Sequence, residues 1–312
     1  MPEPAGTIFA IGGAEAKLRR RSVLRAFVAE AGGTNARIAV IPSASSLGPE
    51  VVEVYRAVFA SLGAGEVIEV RPASRAEAQN GSLATSLEGV SAIFMTGGNQ
   101  LKLSNFITGT PFGAAINAAH QRGVVVAGTS AGASILADYM IAFGSGGSTP
   151  KQRMSQLSAG LGLVTGVVID QHFEQRNRYG RLLSLVAQSP SLLGIGIDED
   201  TAAVVRPGSV LEVIGRGAVT VIDGRHLTTN AYLAQRTAPL LVSGATLHVL
   251  PSGSRFDLAH RVLLTHDEQL PDAEVVESRA AEHDLRLLAK EIAAEGVSPS
   301  SYRRRLRRSD TR

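Results

Sequence analysis

The stretch Gly123-Val-Val-Val-Ala-Gly-Thr-Ser130-Ala-Gly-Ala133 carries the most information in this chain. Three consecutive valines after a glycine predict a strand buried on both faces, as in a parallel sheet, and the small residues that follow can open a helix. Ser130 falls on the turn between them. Gly128-Thr-Ser130-Ala-Gly132 fits the pattern G-x-S-x-G, whose glycines let strand and helix approach closely while a strained turn pushes the serine hydroxyl out at the sheet edge. The Ala131 amide then points to where an oxyanion would form. Such a pattern also arises where small residues merely pack, so the neighbouring segments have to supply the rest of a site.

Upstream, strand and helix signals alternate. Thr7-Ile-Phe-Ala-Ile-Gly-Gly13 reads as a strand ending in a tight turn, followed by Leu18, Val23, Leu24, Phe27 and Val28 at helical spacing. The G-x-G-x-x-G spacing is absent after this strand, which argues against a dinucleotide cofactor there. Arg37-Ile-Ala-Val-Ile-Pro42, Glu66-Val-Ile-Glu-Val70 and Val90-Ser-Ala-Ile-Phe-Met95 are further strands, and Val51, Tyr55, Val58, Phe59 and Leu62 mark a helix starting near Pro49. The expected architecture is a three-layer α/β/α fold, a mostly parallel sheet covered by helices on both faces.

Sites in such sheets lie beyond the carboxyl ends of the strands. Thr96-Gly-Gly-Asn-Gln100 sits at one such end, where glycine amides beside Asn and Gln can cap a helix or donate to an oxyanion or a substrate carbonyl. Downstream of Ser130, Phe143-Gly-Ser-Gly-Gly-Ser-Thr-Pro150 and Lys151-Gln-Arg-Met-Ser read as a loop that could wall the site. Val167-Val-Ile-Asp-Gln-His172 is a strand ending in polar residues, followed by Arg176, Arg178 and Arg181 at the start of a helix. The helix dipole disfavours cations there, so these arginines beside a possible general base point to carboxylate recognition. Leu193-Gly-Ile-Gly-Ile197 leads into Asp198, Glu199 and Asp200, any one of which could orient a histidine. Val210–Ile214, Ala218–Ile222 and Ala245–Leu250 then predict strands that extend the sheet in antiparallel fashion.

Composition narrows the chemistry. The 312 residues carry no cysteine, which excludes thiol catalysis, disulfides and thiolate zinc sites, and the histidines lack paired ligand spacing, so no metal or cofactor is expected. The excess charge of +3 is concentrated in Arg303-Arg-Arg-Leu-Arg-Arg308, and the nearly neutral body gives no general nucleic-acid surface. An N-terminus without a basic n-region and the lack of a long apolar run lead to the expectation of a soluble, cytoplasmic protein without a membrane span. One catalytic domain over 1–272 is expected, then a C-terminal helix and a basic, disordered tail over 273–312.

With these residues placed, the chain resembles the cyanophycinases of peptidase family S51, relatives of peptidase E with a class I glutamine amidotransferase-like fold. The likeness runs from about Thr7 to about Leu264. It is carried by Ile11-Gly-Gly-Ala-Glu15, Ile41-Pro-Ser-Ala-Ser45, Thr96-Gly-Gly-Asn-Gln100, Gly128-Thr-Ser-Ala-Gly-Ala133, Asp170-Gln-His-Phe173 with its arginines, and Gly196-Ile-Asp-Glu-Asp-Thr-Ala202.

The resemblance implies serine-type hydrolysis of cyanophycin to β-Asp-Arg dipeptides, with cleavage of short α-aspartyl peptides, as by peptidase E, or ligand binding without catalysis as the alternatives. It implies Ser130 as nucleophile, His172 as base, and the amides of Gly98 and Ala131 as oxyanion donors. Peptidase E would place its acid soon after the serine, but Tyr139–Ile169 holds no Asp or Glu and that position does not carry over; the motif shared with cyanophycinases implies Glu199 as the triad acid, with Asp198 and Asp170 behind it. Gln100, Asp170, Gln171, Arg176, Arg178 and Arg181 match the family's substrate pocket, the arginines gripping an aspartyl carboxylate and Asp170 meeting a substrate guanidinium. A homodimer is also implied.

Overall fold

A computed structural model describes residues 5–18 and 21–267. The expected boundary at 272, and the helix and basic tail over 273–312, lie outside the described residues. The first half of the chain alternates as expected: β1 (Ile8–Ile11), α1 (Ser22–Glu30), β2 (Arg37–Ile41), α2 (Glu50–Ser61), β3 (Glu66–Glu69), α3 (Arg75–Ala78), α4 (Gly81–Thr85), β4 (Ala92–Met95), α5 (Gln100–Ile107), α6 (Pro111–Gln121) and β5 (Val125–Thr129). After the short α7 (Ala131–Ser134) come β6 (Ala137–Gly144), β7 (Ser155–Ala159), β8 (Val164–Gln171), α8 (Tyr179–Gln188) and β9 (Leu193–Ile197). The remainder is β: β10 (Thr201–Arg206), β11 (Val210–Gly215), β12 (Ala218–Asp223), β13 (Thr228–Thr229), β14 (Val242–Ser243), β15 (Thr246–Pro251), β16 (Ser254–Asp257) and β17 (Val262–His266).

The strands form a nine-stranded sheet in the order β17-β16-β11-β10-β1-β5-β4-β2-β3, a six-stranded sheet in the order β15-β12-β9-β8-β6-β7, and the small β13-β14 ribbon. β3, β2, β4, β5 and β1 are parallel, and β10, β11, β16 and β17 continue that sheet antiparallel. The sequence placed all strands in one sheet; instead β8, β9, β12 and β15 belong to the second. The chain passes between the two sheets four times, and two of these crossings, β9 to β10 and β11 to β12, fall at Asp198–Asp200 and at Gly215–Gly217. These two crossings are tied together: Arg216 N–H donates to Asp200 O, Gly217 N–H to Thr201 Oγ1 and Ala218 N–H to Asp198 Oδ2.

Strand periodicity of two explains the unbroken apolar runs. Along β1, Phe9 and Ile11 enter the core beneath α1 and α2, while Ile8 and Ala10 enter the core shared with α5, α6 and the second sheet. β8 does the same for the second sheet: Val167 and Ile169 face that shared core, and Val168 faces Leu182, Leu185 and Val186 of α8. The few aromatic residues are concentrated under α1 and α2, where Phe9, Phe27, Tyr55, Phe59 and Phe94 pack with ring centroids 4.7 to 5.8 Å apart. Among the described residues no helix is long and apolar enough to cross a membrane.

Candidate active site

The carboxyl ends of β4, β5 and β1 lie side by side in one sheet and those of β8 and β9 in the other. His172 N–H donates to Gly12 O at 2.8 Å and Asp200 N–H to Gly13 O at 2.9 Å, which laces the two sets of ends together, while Phe173 N–H to Ile197 O at 3.1 Å ties the end of β8 to that of β9. Polar side chains from motifs far apart in sequence therefore meet at this seam.

Ser130 has φ 53 and ψ −112, a conformation in which L side chains are strained, and its N–H is held by Ile11 O at 3.0 Å. The glycines of its motif are required by contact. A Cβ on Gly128 would fall 1.9 Å from Gly132 O, and one on Gly132 would fall 2.2 Å from Met95 O. Strand, turn and helix can therefore close only around glycine, and that closure aims Ser130 Oγ out of the sheet.

His172 Nε2 lies 3.0 Å from Ser130 Oγ, and His172 Nδ1 lies 2.6 Å from Glu199 Oε1. A carboxylate only accepts, so Nδ1 carries the proton and the Nε2 lone pair faces the serine hydroxyl. Burial lowers the pKa of His172 below its ordinary value; the bond to Glu199 opposes this, while the Arg176 and Arg178 charges reinforce it. The imidazole is accordingly neutral at pH 7, the form a general base requires.

The three carboxylates after β9 have separate tasks. Asp198 accepts from Glu174 N–H and Ala218 N–H, and Asp200 accepts from Ala16 N–H, so both hold backbone at the seam. Glu199 alone of the three meets His172, with its own N–H held by Gln175 Oε1 at 3.0 Å.

Two backbone N–H groups, those of Gly98 and Ala131, lie in the turns around the serine. A Cβ on Gly97 would be 3.7 Å from Ser130 Oγ, so the Gly97-Gly98 turn borders the serine, and Gly98 has φ 144 where it crosses the backbone of Ala44. Neither the Gly98 nor the Ala131 N–H donates to any acceptor among the described residues. Asn99 is spent as the cap of α5, accepting from Lys102 N–H, and Gln100 Nε2 is tied to Ile141 O at 2.7 Å and Ser134 Oγ at 3.2 Å.

The arginine cluster differs from expectation. Asp170 is fully buried, with Oδ2 accepting from Arg181 Nε at 2.6 Å and Oδ1 from Arg178 Nη1 at 3.0 Å and from Arg181 Nη2. It cannot face a substrate guanidinium, because both oxygens are occupied and no surface reaches solvent. Asp170 also explains why cations are tolerated at the start of α8: its buried carboxylate offsets the dipole. Arg181 is held further by Gly144 O and is 3% exposed, which withdraws it from a bound ligand. Burial pushes Arg178 down to about 10, with Asp170 opposing and the neighbouring arginines adding to the shift. Arg178 also bonds Gln171 O and Oε1, and Gln171 Oε1 stands 3.5 Å from Ser130 Oγ. Arg176 is exposed beside the histidine.

The profile of peptidase family S51 matches residues 8–213, which include Ser130, His172, Glu199 and the arginine cluster. The chain belongs to peptidase family S51. It is 41% identical over 261 residues to the cyanophycinase of Trichormus variabilis, covering 82% of this chain and 87% of that one. With the cyanophycinase of Geminocystis herdmanii it shares 40% over 255 residues, 80% of this chain and 93% of the other. The fold matches that of a peptidase from an acI-B1 Actinobacterium with TM-score 0.60 at 23% identity, over 82% of this chain and 98% of that one. This S51 member is a serine-type peptidase.

Sequence reasoning quoted Glu15 within a motif but gave it no task. It is 4% exposed and its oxygens accept from Tyr55 OH at 2.6 Å, Thr129 Oγ1 at 2.6 Å and Lys17 Nζ at 2.8 Å, directly beneath the strained serine turn. A lone acid closing an apolar strand was the available signal. Among the described residues no group of three or more His, Asp or Glu gathers as a metal-ligand set.

Proposed function

We propose that this chain hydrolyses cyanophycin, a poly-aspartate backbone with arginine on each β-carboxyl, and releases β-Asp-Arg dipeptides. The observation that carries the reading is the line Glu199–His172–Ser130, with contacts of 2.6 and 3.0 Å, at the end of a strained strand-to-helix turn. In this reading Ser130 Oγ attacks the scissile backbone carbonyl while His172 Nε2 takes the hydroxyl proton and Glu199 stabilises the imidazolium. The N–H groups of Gly98 and Ala131 hold the oxyanion. His172 then protonates the leaving amine, and a water deprotonated by the same nitrogen cleaves the acyl-enzyme. Arg176, with Arg178 and Gln171 behind it, grips the aspartyl carboxylate, and Asp170, itself clamped by Arg181, holds Arg178 in place. Gln100 borders the same pocket. Homodimeric assembly and a cytoplasmic setting belong to the same proposal.

The test is incubation of purified protein with insoluble cyanophycin, with and without chelator, beside Ser130→Ala, following soluble β-Asp-Arg by mass spectrometry. Release that resists chelation and vanishes in the variant is expected. A folded wild type that releases nothing from the polymer but cleaves short Asp-X peptides would replace this reading with that of an aspartyl dipeptidase.

A further inference from the structure

Three segments of this chain contain no acidic residue at all: 139–169, 175–197 and 224–256. The fold brings parts of all three together beside the active site. Gln152 N–H donates to Ala238 O at 2.9 Å, Leu240 N–H to Pro150 O at 2.9 Å, and Gln152 Nε2 to Ala231 O at 2.7 Å, joining the loop after β6 to the loop between β13 and β14. The same β6–β7 loop is bonded to the start of α8, through Gly147 N–H to Asn177 O at 2.6 Å and Gly180 N–H to Gly147 O at 2.8 Å. Asn177 follows Arg176, whose charge is felt by His172.

This joined surface presents Lys151, Arg153, Arg176 and Arg236, all exposed. None of the four forms an ion pair among the described residues, whereas exposed Arg225 and Arg255 are paired with Asp223 and Glu212. Arg153 and Arg236 hold positive φ, 56 and 55, a conformation that glycine or asparagine adopts more cheaply. Large rings stand exposed in the same segments: Tyr232 is 83% and Phe143 59% accessible.

We propose that this acid-free surface docks a stretch of the cyanophycin chain outside the catalytic pocket. The proposal rests on the function proposed above and adds to it a second contact with the same polymer. Each repeat carries one carboxylate and one guanidinium on its arginine branch. The carboxylates pair with Lys151, Arg153 and Arg236, with Arg176 standing where this surface meets the catalytic pocket, and the guanidinium groups stack on Tyr232 and Phe143. Individually these exposed contacts are weak, but a repeating ligand engages several at once, so the enzyme is retained near the chain it is cutting. A soluble fragment of a few repeats engages few of these contacts at once and gains little from the surface.

The test uses the full chain carrying Ser130→Ala, so that the polymer survives, in co-sedimentation with insoluble cyanophycin at low and high salt. Lys151→Gln, Arg153→Asn and Arg236→Asn are combined on that background and, separately, on the active enzyme, where a soluble trimer of the repeat is assayed beside the polymer. About tenfold weaker, salt-sensitive sedimentation, with slower polymer cleavage and unchanged kcat/KM on the trimer, is expected from losing three exposed charge contacts. Sedimentation equal to that of the parent, absence of sedimentation in the parent itself, or equal loss on trimer and polymer overturns the docking surface. If the triple variant melts early, Arg236→Asn alone is read by the same assays, at a position whose backbone asparagine suits. An active-serine enzyme that sediments through these residues yet cleaves neither substrate would defeat the hydrolase reading and leave the docking surface standing.

Discussion

Gly13 lies against the imidazole of His172: a Cβ built on it would fall 2.4 Å from Cε1 and 2.5 Å from Nε2. The glycine pair that ends β1 is therefore part of the site, because it leaves room for the ring between Ser130 and Glu199. Its φ of 96 adds a second requirement for glycine. Gly13→Ala is expected to displace the ring and lower kcat by roughly 10²-fold, the scale of an ångström-sized misplacement of a catalytic group. Steady-state kinetics with a thermal melt would check it, and full activity in the variant would mean that the ring is not confined as described.

The charges around His172 set the acidic limb of activity. A general base works when deprotonated, so activity rises with pH through the His172 pKa, and burial places that inflection below the ordinary 6.5. Arg176→Gln removes a like charge, so the inflection in kcat/KM should move to higher pH. Glu199→Gln removes the partner that favours the imidazolium, so the inflection should move to lower pH. The readout is the position of the limb and not its height, since Arg176 also serves substrate binding in our reading. Shifts of the opposite sign would reject His172 as the titrating base.

Glu199 and its neighbour Asp198 separate by what each variant damages. Glu199→Gln should lower kcat by up to about 10⁴-fold with the melting temperature little changed, as for loss of a carboxylate that fixes the tautomer of a catalytic histidine. Asp198→Asn places an NH₂ group against one of two N–H donors, Glu174 or Ala218, and should cost about 1–3 kcal/mol of stability while kcat is largely kept. Denaturant melts beside kinetics on both variants distinguish the two, and a reversal of the pattern would transfer the triad role to Asp198.

Much of this was legible in the sequence because it is local. Val124–Ser130 and the strands at Ile8, Arg37 and Ala92 are apolar runs with turns at both ends, and local pattern fixes such elements. The pairing of β8 and β9 into a separate sheet was not legible, since a buried strand carries the same apolar signature whichever sheet receives it. The anomaly of arginines at a helix start is visible in the sequence, and Arg178 is the N-cap of α8 with Arg181 in its first turn. Their partner was misjudged, because nothing in the local sequence tells a carboxylate turned toward solvent from one buried under two guanidinium groups, as Asp170 is. Glu15 went unassigned for the related reason that its partners Tyr55 and Thr129 lie 40 and 114 residues away.

Those partners make Glu15 a positioning residue for the serine turn. Burial opposes its charge, but Lys17 and the bonds from Thr129 and Tyr55 outweigh burial and hold its pKa below the ordinary 4.5, so it is a carboxylate at neutral pH. Glu15→Gln keeps the shape but turns one acceptor into a donor facing a hydroxyl. The expected cost is about 1–3 kcal/mol, with a drop in kcat through Thr129, the residue before Ser130. The pH dependence identifies the cause. A carboxylate with a depressed folded pKa contributes stability that is fully present above its unfolded value near 4.5 and is lost as pH falls through the folded value. The stability gap between parent and variant should therefore hold constant from neutral pH down to about 4.5 and close at more acid pH, where both side chains are neutral. Urea melts across that range would check it, and a gap independent of pH would show that Glu15 acts through its shape and not its charge.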